Sequence, residues 1–94
     1  MQTLLKSKYQ RASHVVGSSL DDAMILSSME NEKFYGLNKV ASRIWKILEE
    51  SVTMEEVVVK MLDQFDIEKK ACEQDVSAFF QEMIKAGIIV EVPA

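Results

Sequence analysis

The chain has 94 residues, enough for one domain, and a domain of that size buries only about 60–65% of its extended surface on folding, which leaves little room for a deep enzymatic cleft. Hydrophobic residues make up 48% and charged residues 28%, a balance that excludes a disordered or fibrous chain. The formal charge of −4 argues against a nucleic-acid ligand, whose phosphates are bound by an excess of Lys and Arg.

No apolar run reaches the length of a membrane span, and Met1-Gln2-Thr3-Leu4-Leu5-Lys6 lacks the apolar core of a signal peptide, so no membrane contact and a cytoplasmic location are expected. Cys72 is the single cysteine, so no intrachain disulfide and no Cys-based metal cluster can form. No metal or cofactor is expected.

Residues 1–12 carry Lys6, Lys8 and Arg11 among scattered apolar groups; they read as an N-terminal arm, loose or forming an added strand, ahead of a domain over residues 13–94. His14-Val15-Val16 is a short strand candidate, punctuated by Gly17-Ser18-Ser19. Two apolar runs, Ala23 to Leu26 and Phe34 to Leu37, flank the polar Glu30-Asn31-Glu32-Lys33 and predict a hairpin. Asp21-Asp22 could be paired carboxylates, but either chemical role needs further ligands or a second titrating group, and adjacent aspartates at a strand start read as turn residues. A two-residue turn at Asn31-Glu32 would force Glu32 to positive φ, which predicts a longer or bulged turn.

Everything after Asn38 reads as helix. Asn38 can cap a first helix whose Val40, Ala41, Ile44, Trp45, Ile47 and Leu48 share one stripe, with Trp45 in the core. Thr53 and Glu56 form a capping box for a second helix, with Val52 and Val57 placed as its hydrophobic staple. A third helix opens at Asp66 or Glu68 and ends at Gly87, and Ile88 to Val92 suggests a short strand before Pro93. Its apolar side includes Cys72, which reads as a small buried hydrophobe. Phe79 and Phe80 are adjacent and point about 100° apart, so either the second covers the rim of the core or it borders a partly open groove.

The predicted fold is α+β, a three-stranded antiparallel sheet followed by three helices, in a winged helix-turn-helix-like order. The last strand before the helices falls at an edge. A DNA reader of this order would carry basic residues on its third helix, where Glu68, Glu73, Asp75 and Glu82 stand against Lys69, Lys70 and Lys85. One histidine, one cysteine and no phosphate loop or catalytic motif make a binding module the expectation, not an enzyme. A strand edge beside an apolar helix face suits an extended peptide.

His14-Val15-Val16, Leu20-Asp21-Asp22, Met24-Ile25-Leu26, Lys33-Phe34-Tyr35-Gly36-Leu37-Asn38, Ile44-Trp45 and Asp75-Val76 through Gly87-Ile88-Ile89 resemble the PqqD-like family, in particular the stand-alone recognition proteins of lasso-peptide biosynthesis. The resemblance runs from His14 onward; Glu32 departs from it, since many relatives carry glycine there. It implies a RiPP recognition element, a non-catalytic domain that binds the leader of a ribosomally made precursor and serves a leader peptidase and a cyclase. In that family the leader adds to the third strand and lies against the third helix. Carried over, the strand is Lys33, Phe34, Tyr35, Gly36 and Leu37, and the helix positions are Asp75, Val76, Phe79, Glu82 and Met83. Leu37 is expected in the core, and Tyr35 and Phe79 partly exposed. The same edge could instead pair with a second copy as a homodimer. The alternative function is an acidic winged-helix module for protein contacts or transcriptional regulation.

Overall fold

A computed structural model describes residues 7–92. The chain forms β1 (Lys8–Arg11), β2 (Val15–Leu20), β3 (Ala23–Ser28), β4 (Phe34–Leu37), α1 (Lys39–Ile47), β5 (Val52–Thr53), α2 (Met54–Gln64), α3 (Lys69–Lys85) and β6 (Ile89–Glu91). The expected α+β arrangement is present: an antiparallel β2-β3-β4 sheet followed by three helices.

A second sheet, in the order β5-β1-β6, joins both ends of the described chain. Residues 8–11, which the sequence left between an arm and a strand, are its central strand. Tyr9 pairs with Val52 on one side and Glu91 on the other. Its ring is buried and meets Phe80 edge-on at 5.3 Å between centroids. Burial first, then the charge of Glu91, raises the Tyr9 phenol above its ordinary pKa. Residues 1–6 lie outside the described residues.

In the first sheet, β2 pairs with β3 from Val15↔Ser28 to Leu20↔Ala23, closed by a two-residue Asp21-Asp22 turn in which Asp21 has φ +55°. β3 pairs with β4 from Met24↔Leu37 to Ser27↔Phe34. The loop between them spans residues 29–33, longer than a two-residue turn as expected, yet Glu32 still sits at φ +56°. Asn31 Oδ1 accepts from the Lys33 N–H at 3.1 Å and sets this turn.

Three helix boundaries follow from local chemistry, while α3 opens at Glu68 with no side-chain cap. Asn38 Oδ1 accepts from the Ala41 N–H at 2.9 Å and opens α1. Ser42, buried in the next turn, donates to the Leu37 carbonyl at 3.2 Å and ties α1 to the end of β4. At α2, the Glu56 N–H donates to Thr53 Oγ1 at 3.1 Å and the Thr53 N–H to Glu56 Oε1 at 2.8 Å, completing the capping box. The Thr53 backbone N–H is the main cause that holds the Glu56 carboxyl below its ordinary pKa. α3 ends in a Schellman motif: Gly87 at φ +77° lets Ile88 N–H reach the Met83 carbonyl at 2.9 Å and Gly87 N–H reach Ile84 at 3.0 Å.

The inner face of the first sheet presents Met24, Leu26 and Leu37 to Ile44 and Trp45 of α1 and to Leu48 at its C-cap, and α2 and α3 close the core with Val57, Met61, Cys72, Val76 and Phe80. Gly17 lies beside Trp45. A Cβ there would stand 3.1 Å from both the Trp45 Nε1 and the Met24 sulfur. The Arg11 guanidinium stacks 4.6 Å from the indole ring and donates to the Trp45 carbonyl at 2.7 and 3.1 Å. Arg11 thereby fixes the first strand to the last turn of α1, a link between residues 34 apart that no local pattern signals.

Candidate functional site

β4 lies at the edge of the β2-β3-β4 sheet, as its place before the helices predicted. Two hydrogen bonds beside the strands reveal which backbone groups face that edge. Met29 N–H donates to the His14 carbonyl at 2.8 Å, and Ser28 N–H donates to the Lys33 carbonyl at 2.9 Å. In an antiparallel pair, alternate residues turn both N–H and C=O toward the partner, and the residues between turn theirs away. On β4, Tyr35 and Leu37 therefore bond to β3, while Phe34 and Gly36 aim at the open side.

The period of two sorts the side chains independently of this. Tyr35 and Leu37 share the inner face, opposite Leu26 and Met24. Leu37 is buried, as expected, and Tyr35 half-buried against the core. Phe34 and Gly36 face outward, and Phe34 is 73% exposed. A Cβ at Gly36 would meet nothing within 4 Å, so the fold itself does not need glycine here. Lys33, at the end of the turn, is exposed.

Along α3, Asp75, Phe79 and Glu82 follow at helical spacing and form one stripe. Asp75 and Glu82 are exposed, and neither has an ion-pair partner among the described residues. Phe79 between them is only 8% exposed, where partial exposure was expected. Its adjacent Phe80 is fully buried, so two neighbouring aromatics are both accommodated, one at the centre of the core and one at its margin. Val76 and Met83 are buried. Of the ten residues singled out on β4 and α3, those offering side chains to solvent are Lys33, Phe34, Asp75 and Glu82, with Tyr35 half-open and Gly36 offering backbone.

Among the described residues, β4 packs against β3 and α1. Three open concavities lie elsewhere and none is lined by residues of β4. A strand-addition site needs a row of unpaired donors and acceptors, not a cavity.

The remaining polar groups have local roles. His14 Nδ1 lies 3.0 Å from Ser28 Oγ, and its Nε2 lies 4.0 Å from Glu30 Oε2. Cys72 is buried, and burial, followed by the charges of Asp75 and Glu73, raises its thiol pKa; it is held protonated, the reverse of an activated nucleophile. Among the described residues, no group of three or more His, Cys, Asp or Glu side chains is placed to hold a metal ion, and no helix is long and apolar enough to cross a membrane.

Two solved structures share this architecture. One, described as TbiB1 in complex with the TbiA(beta) leader peptide, is 25% identical and superposes with a TM-score of 0.80 over 90% of this chain and 99% of that one. The other, described as lasso peptide synthetase B1 complexed with the leader peptide, has a TM-score of 0.75 at 17% identity, over 87% of this chain and 96% of that one, and speaks for the fold alone. No curated protein matches the chain significantly. Residues 23–89, from the second strand of the exposed sheet to the last strand, match the family described as Coenzyme PQQ synthesis protein D (PqqD), and by this match over well more than half its length the chain belongs to the PqqD family.

Proposed function

We propose that this protein is a non-catalytic recognition element that captures the leader of a ribosomally made precursor peptide in lasso-peptide biosynthesis. The leader adds as a fourth strand beside β4, bonding to the backbone of Phe34 and Gly36, and its side chains turn toward Tyr35 and the α3 stripe. Asp75 and Glu82 flank that stripe and suit a basic or hydrogen-bonding leader residue. Val76, Phe79 and Met83 form the apolar floor behind it, and Leu37 anchors the strand from below. The bound precursor is then presented to a leader peptidase and a cyclase. A second copy on the β4 edge would be a competitor of the leader, not an aid to it.

The observation that carries this reading is the open β4 edge with two residues' backbone groups directed away from the protein. It is supported by the 25% identity, over nearly the full length, to a protein solved with its leader peptide. The alternative, an acidic winged-helix module in transcriptional regulation, is disfavoured by α3, where Glu73, Asp75 and Glu82 would face a phosphate backbone. Titrating a labelled leader peptide and a labelled DNA duplex separately against the protein distinguishes the two. Saturable leader binding is expected; saturable DNA binding with a steep salt dependence would overturn the proposal.

A further inference from the structure

The sheet that offers β4 on one side ends on the other side at β2, which pairs with β3 alone. By the same parity, Val16, Ser18 and Leu20 bond to β3, and Gly17 and Ser19 point their N–H and C=O groups outward. Exposed edges are ordinarily protected by a lysine, a proline, an inward-pointing charge or a bulge. Val15-Val16-Gly17-Ser18-Ser19-Leu20 contains no charged residue and no proline, pairs with β3 without interruption, and is exposed from Val16 to Leu20.

We infer that β2 is a self-association edge, on which a second copy of this chain pairs antiparallel about a two-fold axis at Ser18. The strand's own pattern selects this register. Faces match only when the two paired numbers have an even sum, so the two-fold axis must pass through a residue. With Ser18 opposite itself, Gly17 and Ser19 of each copy form hydrogen-bonded pairs with Ser19 and Gly17 of the other, and small side chains meet on the inner face. On the outer face, Val16 of one copy lies across from Leu20 of the other. Each is 55% exposed in the single chain, and together they continue the apolar surface of Ile25. Centring the axis on Gly17 or Ser19 would set Val16 or Leu20 against a serine.

At either end Asp22 stands opposite His14 of the second copy, so no like charges are opposed. The contact is small against the roughly 1,000 Å² of a stable interface, and each copy carries −4, so the association is weak and strengthens with salt. It leaves β4 free, and so does not depend on what β4 binds.

Sedimentation of the full chain over a concentration series tests this. The weight-average mass should climb from the monomer toward twice its value, and Ser18→Lys, which opposes two cations on the axis at an exposed position, should shift the midpoint at least tenfold upward. Ser18→Cys should cross-link to a dimer under oxidised glutathione much faster than Ser51→Cys, an exposed position off the sheet; Cys72 is buried and does not compete. A constant monomer mass to millimolar concentration, association unaltered by Ser18→Lys, or equal cross-linking at the two positions would each overturn the inference. So would a monomer in which Ser18→Lys instead abolished binding to a partner enzyme, since β2 would then accept another protein's strand.

Discussion

The two sheets of this small domain have opposite designs. In β5-β1-β6 the strands are two to four residues long, yet the central one is paired on both sides and carries the buried Tyr9 against Phe80. In β2-β3-β4 two strands have six residues and the third four, the outer face is open to solvent, and both edges lack a partner among the described residues. Strand length therefore does not measure structural importance here. The short sheet holds the ends of the described chain to the helices, and on the proposed reading the other is a platform whose rim receives the leader. Stability and binding should separate along this division.

The largest effect expected is on the short β5-β1-β6 sheet. Tyr9→Ala removes a buried aromatic ring and should cost about 3–4 kcal/mol in chemical denaturation, by analogy with other large-to-small core changes. The fraction that remains folded should bind leader normally. A matching loss of affinity in the folded fraction would break the division.

On the rim, Gly36→Pro removes one outward N–H while adding atoms into open space, so leader affinity should fall about tenfold or more in a fluorescence titration, with a stability change under about 1 kcal/mol. Gly36→Ala is the control and should fold as the parent does. Proline at Tyr35 is the less informative variant, because that N–H bonds to β3 and the sheet itself would suffer.

A smaller effect sharpens the comparison at the joint where β5 runs into α2. Thr53→Ala should cost about 1 kcal/mol of stability and leave leader affinity unchanged. The Glu56 carboxyl has a lowered pKa in the folded state, so the unfolded state binds more protons as it titrates. Its contribution is full above the ordinary carboxylate range and is lost as pH falls through the lowered value. The stability gap between parent and Glu56→Gln should close over that interval.

Much of this architecture could be read from the chain because local signals were strong and agreed. Asn38, the Thr53–Glu56 box and Gly87 each marked a helix boundary with specific hydrogen bonds, and all of them form. The hairpin was legible from its apolar runs, and the edge position of β4 from its order before the helices. The short sheet was harder, since Val52-Thr53 carries no period over two residues and β1 is a strand only because β5 and β6 reach it from far along the chain. For the same reason Arg11 gave no hint of its bond to Trp45, 34 residues away.

At the candidate site, Leu37 lies in the core and Tyr35 is half-buried, as expected. Which of Phe34, Tyr35 and Gly36 offers its backbone depends on ladder parity, and that is fixed by the loop bonds of Met29 and Lys33, not by residue type. Phe79 was expected partly exposed because two adjacent aromatics diverge; the core extends far enough around α3 to take both. Glu32 keeps a positive φ within a longer loop, so loop length and backbone strain there were not alternatives.

The central claim, that β4 is where a leader adds its strand, is tested most directly by amide hydrogen exchange with and without leader peptide, at a protein concentration low enough to keep the chain monomeric. Protection rising at Phe34 and Gly36 on addition of the peptide, with Gly17 and Ser19 unchanged, is the predicted result. Saturating leader that leaves Phe34 and Gly36 exchanging at their free rates would contradict it.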